Sequence, residues 1–159
     1  MDELLKLLKK NALETAEDLA KQLDMTVDEV KARIAEYEKQ GVIRGYQAIV
    51  NEDQLDLTRV TAVIEVDVTP QREGGFNHIA TRLSKFPEVQ SVYLMSGRFD
   101  LMLFVEGKTL KDVASFVSER LSTIDGVTAT ATHFMLKTYK HHGVLMESQD
   151  EYERLKVSP

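Results

Sequence analysis

Side chains that can bind DNA phosphates recur within one short stretch, at Lys31, Arg33 and Arg44. Thr26 and Asp28 come just before them, where the sequence predicts the start of a helix. Asp28 would repel phosphates, unless it accepts a hydrogen bond from a cytosine amino group or only stabilises the positive end of the helix. We expect these five residues to form a DNA-contacting surface, with Lys31 and Arg33 as its main contacts.

Three helices are predicted to position this surface. Apolar residues recur at helical spacing twice within residues 4–23. A capping box at Thr26–Glu29 opens a third helix, which Gly41 ends. The sequence "VIRGYQAIV" then predicts a β-hairpin with Arg44 at its tip. Helices followed by a hairpin make a winged helix-turn-helix, here over residues 1–50.

The charge of this segment argues against DNA binding. Residues 1–50 hold eight Lys and Arg against ten Asp and Glu, a net charge of −2, and the whole chain has a net charge of −6. Proteins that coat nucleic acid by bulk electrostatics need clustered basic residues. A small helical dimerisation module is therefore the alternative, although the positions of the charges matter more than their sum.

The composition limits the class of protein. With 43% hydrophobic and 29% charged residues, the chain has the composition of a soluble globular protein. No apolar run approaches the ~20 residues that a membrane span needs. The absence of cysteine excludes disulfides, thiolate zinc sites and a cysteine nucleophile, and it fits a reducing compartment. We expect a cytoplasmic protein without a membrane partner.

The second half of the chain has the pattern of a sheet covered by helices. The apolar period becomes two from residue 60 onwards. Strands are predicted at 59–69, 89–95, 99–106 and 127–138. Apolar residues at helical spacing predict one helix between the first two strands and another between the last two. The βαββαβ order predicts an α+β, ferredoxin-like domain with both helices on one sheet face.

This domain would cover residues 59–138, after a linker at 51–58 and before a C-terminal tail at 139–159 that includes a short helix within 149–155. Its second sheet face is left without a helix. Strand 99–106 is nevertheless apolar on both sides, so we expect a second copy of the chain to cover one of them. The two candidate pairs for this homodimer face are Met102 with Phe104 and Phe99 with Leu101.

Two segments resemble one known family, the Lrp/AsnC (feast/famine) transcription regulators. "AEDLAKQLDMTVDEVKARIAEYEKQGVIRGYQAIV" is similar to the helix-turn-helix and first linker strand of that family. "PEVQSVYLMSGRFDLMLFVEG" is similar to the core of its effector domain, with a Gly-x-aromatic-Asp element. The resemblance covers nearly all of residues 1–138. It implies double-stranded DNA binding, dimerisation through the sheet, assembly into larger oligomers, and an amino acid or similar small-molecule effector between effector domains.

The resemblance places the effector site around the turn that contains Gly97. A carboxylate such as Asp100 can bind a ligand ammonium, and hydroxyls or backbone N–H groups can hold a ligand carboxylate. The alternative is an ordinary turn that needs Gly97 for positive φ, and Arg98 can pair either with a ligand or with Asp100. The expected effector residues, with a threonine ladder that also includes Thr128, are Met95, Ser96, Gly97, Arg98, Phe99, Asp100, Thr130 and Thr132.

Catalytic and metal-binding chemistry has no support in the sequence. Adjacent His141 and His142 on an extended segment would point to opposite sides, and neither has an acidic or sulfur partner at ligand spacing. His78 and His133 are isolated, and no Ser, His and Asp form a nucleophilic relay. Sirohaem decarboxylases resemble this architecture, but the histidine- and arginine-rich stretches associated with them are missing. We expect neither enzyme activity nor a cofactor or metal.

The sequence thus predicts a sequence-specific DNA-binding transcription regulator that responds to an amino acid or related small metabolite. The alternative from another class is a ligand sensor or partner module that does not bind DNA and keeps the helix-turn-helix as a dimerisation element. A gel shift with DNA from upstream of the protein's own gene would distinguish the two hypotheses, and no shift at low salt with oligomeric protein would favour the alternative.

Overall fold

The structure is a computed structural model that describes residues 2–55, 58–69 and 75–147. The chain divides into two compact units, Met1–Val50 and Asn51–Pro159. Each unit has a hydrophobic core of its own. The helix expected within 149–155 lies outside the described residues.

The N-terminal unit consists of the helices α1 (Glu3–Lys10), α2 (Ala16–Leu23) and α3 (Val27–Lys39). At the start of each helix, a side-chain oxygen accepts a hydrogen bond from a backbone N–H. These oxygens belong to Asp2 in α1, Thr15 in α2 and Thr26 in α3. Asp24 ends α2 in the left-handed conformation, which produces the tight connection to α3. The fully or nearly fully buried residues between the helices are Leu4, Leu8, Leu19, Ala20 and Val30.

The hairpin predicted for "VIRGYQAIV" does not form within the described chain. Residues 43–50 contain neither helix nor strand. Arg44, expected at the hairpin tip, folds back on the end of α3, with its guanidinium carbon 3.0 Å from the position that a Cβ on Gly41 would occupy. Gly41 has a φ of +71°, so glycine is favoured there for two reasons. The segment has the apolar pattern of two short strands, but a hairpin forms only if the residues of the two strands also pair in register.

The C-terminal unit has the predicted βαββαβ order. Its elements are β1 (Val60–Val68), α4 (Asn77–Leu83), β2 (Val89–Leu94), β3 (Leu101–Gly107), α5 (Leu110–Phe116) and β4 (Val127–Phe134). The strands are antiparallel in the order β2-β3-β1-β4, which puts β1 and β3 at the centre of the sheet. The predicted ferredoxin-like fold is confirmed.

The core lies between the sheet and its two helices. α4 contributes Ile79 and Leu83. α5 contributes Val113 and Phe116, whereas Leu110 is 57% exposed because it is the first residue after the cap. The helix-facing side chains of the two central strands are fully buried: Ala62, Ile64, Val66, Leu101, Leu103 and Val105.

The opposite face of the sheet, which we call the open face, carries no described helix. Register places Met102 of β3 beside Glu65 of β1, and Phe104 beside Val63. Phe104 also makes an edge-to-face contact with Tyr93, with ring centroids 6.0 Å apart. Of the two candidate pairs for a dimer face, therefore, Met102 and Phe104 lie on the open face. Leu101 lies in the core, and Phe99 precedes β3.

A small hairpin follows the sheet, formed by β5 (Lys140–His141) and β6 (Val144–Leu145). Its turn residues His142 and Gly143 have φ values of +46° and +88°, as a two-residue hairpin turn requires. The two histidine rings are 4.2 Å apart in an edge contact. The expectation that they point to opposite sides was wrong, because His142 lies in the turn and not in an extended segment.

Candidate nucleic-acid interface and effector region

Thr26 and Glu29 form a closed arrangement at the start of α3. The Glu29 carboxylate accepts hydrogen bonds from the backbone N–H of Thr26 at 2.8 Å and from its hydroxyl at 2.7 Å. The Thr26 hydroxyl accepts from the backbone N–H of Glu29 at 3.2 Å. These bonds lower the pKa of Glu29, and the hydrogen bond from the Thr26 backbone N–H contributes more than the one from the Thr26 hydroxyl. Thr26, predicted to contact DNA, thus uses its hydroxyl within the helix.

Arg33, expected to contact phosphates, has partners within the N-terminal unit. Its guanidinium lies 3.4 Å from a carboxylate oxygen of Asp2, and another of its nitrogens lies 3.7 Å from the sulfur of Met25. The same oxygen of Asp2 accepts from the Tyr37 hydroxyl at 2.7 Å, and the other accepts from the backbone N–H of Leu4 at 2.8 Å. The Tyr37 hydroxyl is the main cause of the lowered pKa of Asp2. Arg33 therefore connects α3 to the start of α1.

The acidic residues in the second half of α3 also have donors. The Gln40 side-chain amide donates to Glu36 at 2.6 Å, and the Tyr46 hydroxyl donates to Glu38 at 2.9 Å. Together with the Glu29 capping bonds, these contacts occupy three of the four carboxylates of α3. These donors are neutral, so they orient the three carboxylates without removing their negative charge.

The charged residues of α3 that have no such partner in the described chain lie along one side of the helix. Asp28, Lys31 and Lys39 are exposed and recur with Ala32 and Ala35 at spacings of three or four residues. We call these five residues the outward stripe, because they lie away from the buried side of α3. Two lysines and one aspartate give it a net charge of +1, whereas the whole segment 1–50 has −2.

Sequence reasoning identified Asp28 and Lys31 but missed Ala32, Ala35 and Lys39. Their spacing could have identified these three residues, since they continue the helical repeat that starts at Asp28. Two alanines at the centre of the stripe leave little bulk on this side of the helix. The backbone of α3 could therefore approach a groove closely.

The turn between β2 and β3 is closed by bonds to β1. The backbone N–H of Met95 donates to the carbonyl of Asp100 at 2.8 Å. The Asp100 carboxylate accepts from the backbone N–H of Val68 at 2.8 Å, and its own N–H donates to the carbonyl of Val66 at 3.2 Å. Asp100 is therefore partly used in fixing β1, beside the register shift at Asp67/Val68. Gly97, with a φ of +144°, fits the turn requirement of the alternative interpretation.

Arg98 does not pair with Asp100, which is one of the two partners predicted for it. Its guanidinium donates to Glu65 on the open face at 2.7 Å, although the Arg98 side chain itself is 82% exposed. The ring nitrogen Nε2 of His133 lies 3.3 Å from the other oxygen of Glu65. The Arg98 hydrogen bond lowers the pKa of Glu65. The expected pair between Arg98 and Asp100 is not formed.

The threonine ladder does not join the turn residues in one site within this chain. Thr130 and Thr132 pair with Val66 and Ile64, whose side chains face the helices. Directly paired residues share a sheet face, so both threonines lie on the face opposite to Glu65. Thr128 donates to the carbonyl of Asp67 at 3.1 Å. The expected effector residues are thus split between the two faces of the sheet.

A shallow, open cleft of about 300 Å³ lies at the other end of the strands. Glu88 belongs to it: one carboxylate oxygen accepts from Arg120 at 2.6 Å, and the other is buried without a hydrogen-bond partner. Arg59 lies 3.7 Å from Glu106 across the same cleft. The lining residues are Arg59, Pro87, Glu88, Gln90, Glu106, Gly107 and Lys108.

Two further features are missing from the described ranges 2–55, 58–69 and 75–147. These ranges contain no group of three or more His, Asp or Glu side chains that could hold a metal ion. No helix in these ranges is both long enough and apolar enough to cross a membrane.

Comparison with known proteins gives two family matches that follow the two units. Residues 3–44 match the winged helix-turn-helix DNA-binding family. Residues 61–145 match the Lrp/AsnC ligand binding domain. The second match alone covers more than half of the chain.

Similar proteins extend the match to the whole chain. The uncharacterized HTH-type transcriptional regulator YugG of Bacillus subtilis is 46% identical over 158 residues, which cover 99% of this chain and 95% of that protein. A transcriptional regulator of Neisseria meningitidis, solved in complex with L-Met, shares the fold with a TM-score of 0.69 at 24% identity, over 89% of this chain and 93% of that one. The structure of E. coli AsnC has a TM-score of 0.67 at 21% identity, over 89% and 95%.

Proposed function

The chain belongs to the Lrp/AsnC family of transcription regulators, and we propose that it binds double-stranded DNA sequence-specifically through α3 and adjusts this binding to an amino acid or related metabolite. The outward stripe is the observation that carries DNA binding. It is exposed, carries a net charge of +1 and has alanines at its centre. A recognition helix enters the major groove with such a side.

The positions of the acidic residues bear on how a segment with a net charge of −2 can approach DNA. Glu29, Glu36 and Glu38 are held by hydrogen bonds to neighbouring groups, and none of the three belongs to the outward stripe. Lys31 and Lys39 keep their ammonium groups free of ion pairs among the described residues. The stripe is therefore more positive than the composition of the segment indicates.

An effector of the amino-acid class is supported by the match of residues 61–145 to a ligand-binding domain. The Neisseria meningitidis regulator of the same fold was solved with L-Met. In this chain the exposed Arg98 offers a cation that can bind a ligand carboxylate in competition with Glu65. Because Thr130 and Thr132 lie on the other face, a site that uses all these residues needs more than one chain.

Assembly would compensate for weak binding by one helix. Several modules on one duplex bind with a high effective concentration after the first contact. Each phosphate contact releases counterions, so the slope of affinity against salt reports the number of contacts. We expect a shallow slope for an isolated dimer and a steeper slope for the larger oligomer, whereas equal slopes would contradict cooperation between modules.

The test is a fluorescence anisotropy titration of DNA from upstream of the protein's own gene, at low salt and with the full chain. Lys31→Ala/Lys39→Ala should weaken binding strongly. Lys9→Ala/Lys10→Ala removes the same charge from exposed positions on α1 and serves as the matched control. Equal weakening by both pairs would indicate bulk electrostatics without a recognition helix.

The net charge of −2 in residues 1–50 favours one second candidate, a ligand sensor that does not bind DNA. In that case the helix-turn-helix would serve dimerisation only. No binding by the oligomeric protein at low salt, together with a thermal shift by amino acids, would support this candidate over the regulator.

A further inference from the structure

We propose that Asp28 and Ala32 read base identity in the major groove, with Asp28 selecting a C·G pair and Ala32 an adjacent thymine. This inference rests on the proposed function, because it assigns base recognition within the outward stripe. Lys31 and Lys39 lie on the same side of α3 and bind phosphates or guanine edges. The division of roles puts affinity on the two lysines and sequence preference on Asp28 and Ala32.

The carboxylate of Asp28 is free to read a base because its neighbours supply the helix cap. Thr26 and Glu29 form both capping bonds, and Asp28 accepts no side-chain or backbone donor within the described residues. Asp28 is exposed in the first turn of α3, and the first turn of a recognition helix is the part that contacts base edges.

Electrostatics makes this carboxylate selective. An ionised carboxylate only accepts hydrogen bonds, so near DNA it is repelled by phosphates and by the acceptor edges of guanine and thymine. Cytosine presents its 4-amino group in the major groove, and Asp or Glu is its usual protein partner. A duplex that places cytosine at Asp28 offsets the repulsion, whereas a duplex that places guanine there adds to it.

Ala32 lies one helical turn after Asp28 on the same side of α3 and is exposed. Its methyl group has no polar atom, so the base feature that it can distinguish is the thymine methyl group. Ala35 continues the same side and leaves room for close approach. The exposed pair Asp28 and Ala32 is therefore matched to a C·G pair followed by a pair that carries a thymine methyl.

Asp28 could instead serve only the positive end of the helix. The chain offers a matched control for that role. Glu17 occupies the second position of α2 after the capping Thr15, as Asp28 occupies the second position of α3 after the capping Thr26. A helix-end role predicts the same outcome for both residues, whereas base reading predicts different outcomes.

The experiment is selection from a randomised duplex pool by the full-length protein, its Asp28→Asn variant and its Glu17→Gln variant. The wild type should enrich a fixed C·G pair, with a preference of roughly tenfold over other pairs at that position. Asp28→Asn should lose that preference or shift it to adenine, which asparagine binds through two hydrogen bonds. Glu17→Gln should enrich the same sequences as the wild type.

Three results would overturn the inference. The first is an Asp28→Asn variant, folded by circular dichroism, that selects the wild-type sequences. The second is equal enrichment of all sequences by a wild type that does bind DNA, which leaves DNA binding intact and removes base reading. The third is no binding to any duplex by the wild type, in which case the proposed function itself fails.

Discussion

The Arg33 guanidinium lies 3.4 Å from the Asp2 carboxylate, so the arginine of the recognition helix is paired with the residue that caps the first helix. Lys31, two residues earlier, has no such partner among the described residues. The two residues that the sequence grouped as phosphate contacts therefore differ in availability. One stabilises the packing of α1 on α3, and the other remains free.

Replacing these two residues separates the two roles. Arg33→Ala should lower the free energy of unfolding by at most about 1 kcal/mol, because the ion pair is half exposed, and should leave the salt slope of DNA binding unchanged. Lys31→Ala should leave thermal stability unchanged and reduce the salt slope by about 1. Chemical denaturation and anisotropy titrations measure the two effects. A reduced slope in Arg33→Ala would mean that Arg33 leaves Asp2 to bind DNA.

The stability of the N-terminal unit should fall in acid because of Asp2. The Tyr37 hydroxyl, the Leu4 N–H and Arg33 hold the pKa of Asp2 below its ordinary value of 3.8. A lowered folded-state pKa contributes stability that is present above the unfolded pKa and is lost as the pH falls through the folded one. Melting of the full chain from about pH 6 down to about pH 3 should show a smaller acid loss in Asp2→Asn than in the wild type.

The control for that experiment is Asp28→Asn, since the Asp28 carboxylate accepts no hydrogen bond in the described chain. Its acid loss should match that of the wild type. Identical curves for all three proteins would show that the bonds from Tyr37 and Leu4 to Asp2 do not contribute to folding stability.

The sequence predicted the elements well because local patterns determine them. Capping at Thr26 and the alternation of β1 depend on neighbouring residues, and both are found in the structure. The partners of Arg33 and Asp100 lie 31 and 32 residues away in the chain, and nothing in a local pattern identifies them. Local spacing predicted the capping bonds of Glu29 and could have identified the outward stripe, but it could not show that the Tyr46 hydroxyl donates to Glu38.

The effector region shows the same limit more clearly. The family resemblance places the effector site at the Gly97 turn with the threonine ladder as a wall, and the sequence leaves open whether Arg98 binds a ligand or Asp100. Sheet register places Thr130 and Thr132 on the helix-facing side, and Arg98 reaches Glu65 on the open face. Register depends on pairing between distant strands, so the pattern of one strand does not determine which residues meet.

Charge on the open face should separate the subunits. We predict that Met102 and Phe104 are buried against a second copy of the chain, since they form an apolar area on the sheet face that lacks a described helix. Phe104→Asp would place an uncompensated carboxylate in that interface, at a cost of several kcal/mol. Light scattering should then give the mass of a smaller species, with a lower melting temperature.

Leu110→Asp is the matched control for the dimer prediction. Leu110 is also a large apolar residue, but it is 57% exposed at the start of α5, where an acidic residue is favourable for the helix. Its mass and melting temperature should remain those of the wild type. If Phe104→Asp also leaves both unchanged, the open face is exposed to solvent in the assembled protein.

Loss of the Asp100 side chain should destabilise the C-terminal unit even without a ligand. Its carboxylate accepts the backbone N–H of Val68 in a partly buried position. Asp100→Ala would leave that N–H without its acceptor and lower the free energy of unfolding by about 1–3 kcal/mol. DNA binding without effector should be retained, because α3 belongs to the other unit. An unchanged melting temperature would show that the bond contributes nothing.

Arg98→Ala is the sharper test of the effector site, because it removes a side chain that is 82% exposed and holds no backbone group. Amino acids should raise the melting temperature of the wild type in calorimetry, and Arg98→Ala should reduce this shift, since a ligand carboxylate loses its cation. Lys108→Ala removes the same charge from the cleft at the other end of the strands and should keep the shift. Loss of the shift in Lys108→Ala alone would move the site to the cleft. No shift with any common amino acid on the wild type would mean that the 95–100 turn is a structural turn without an amino-acid site.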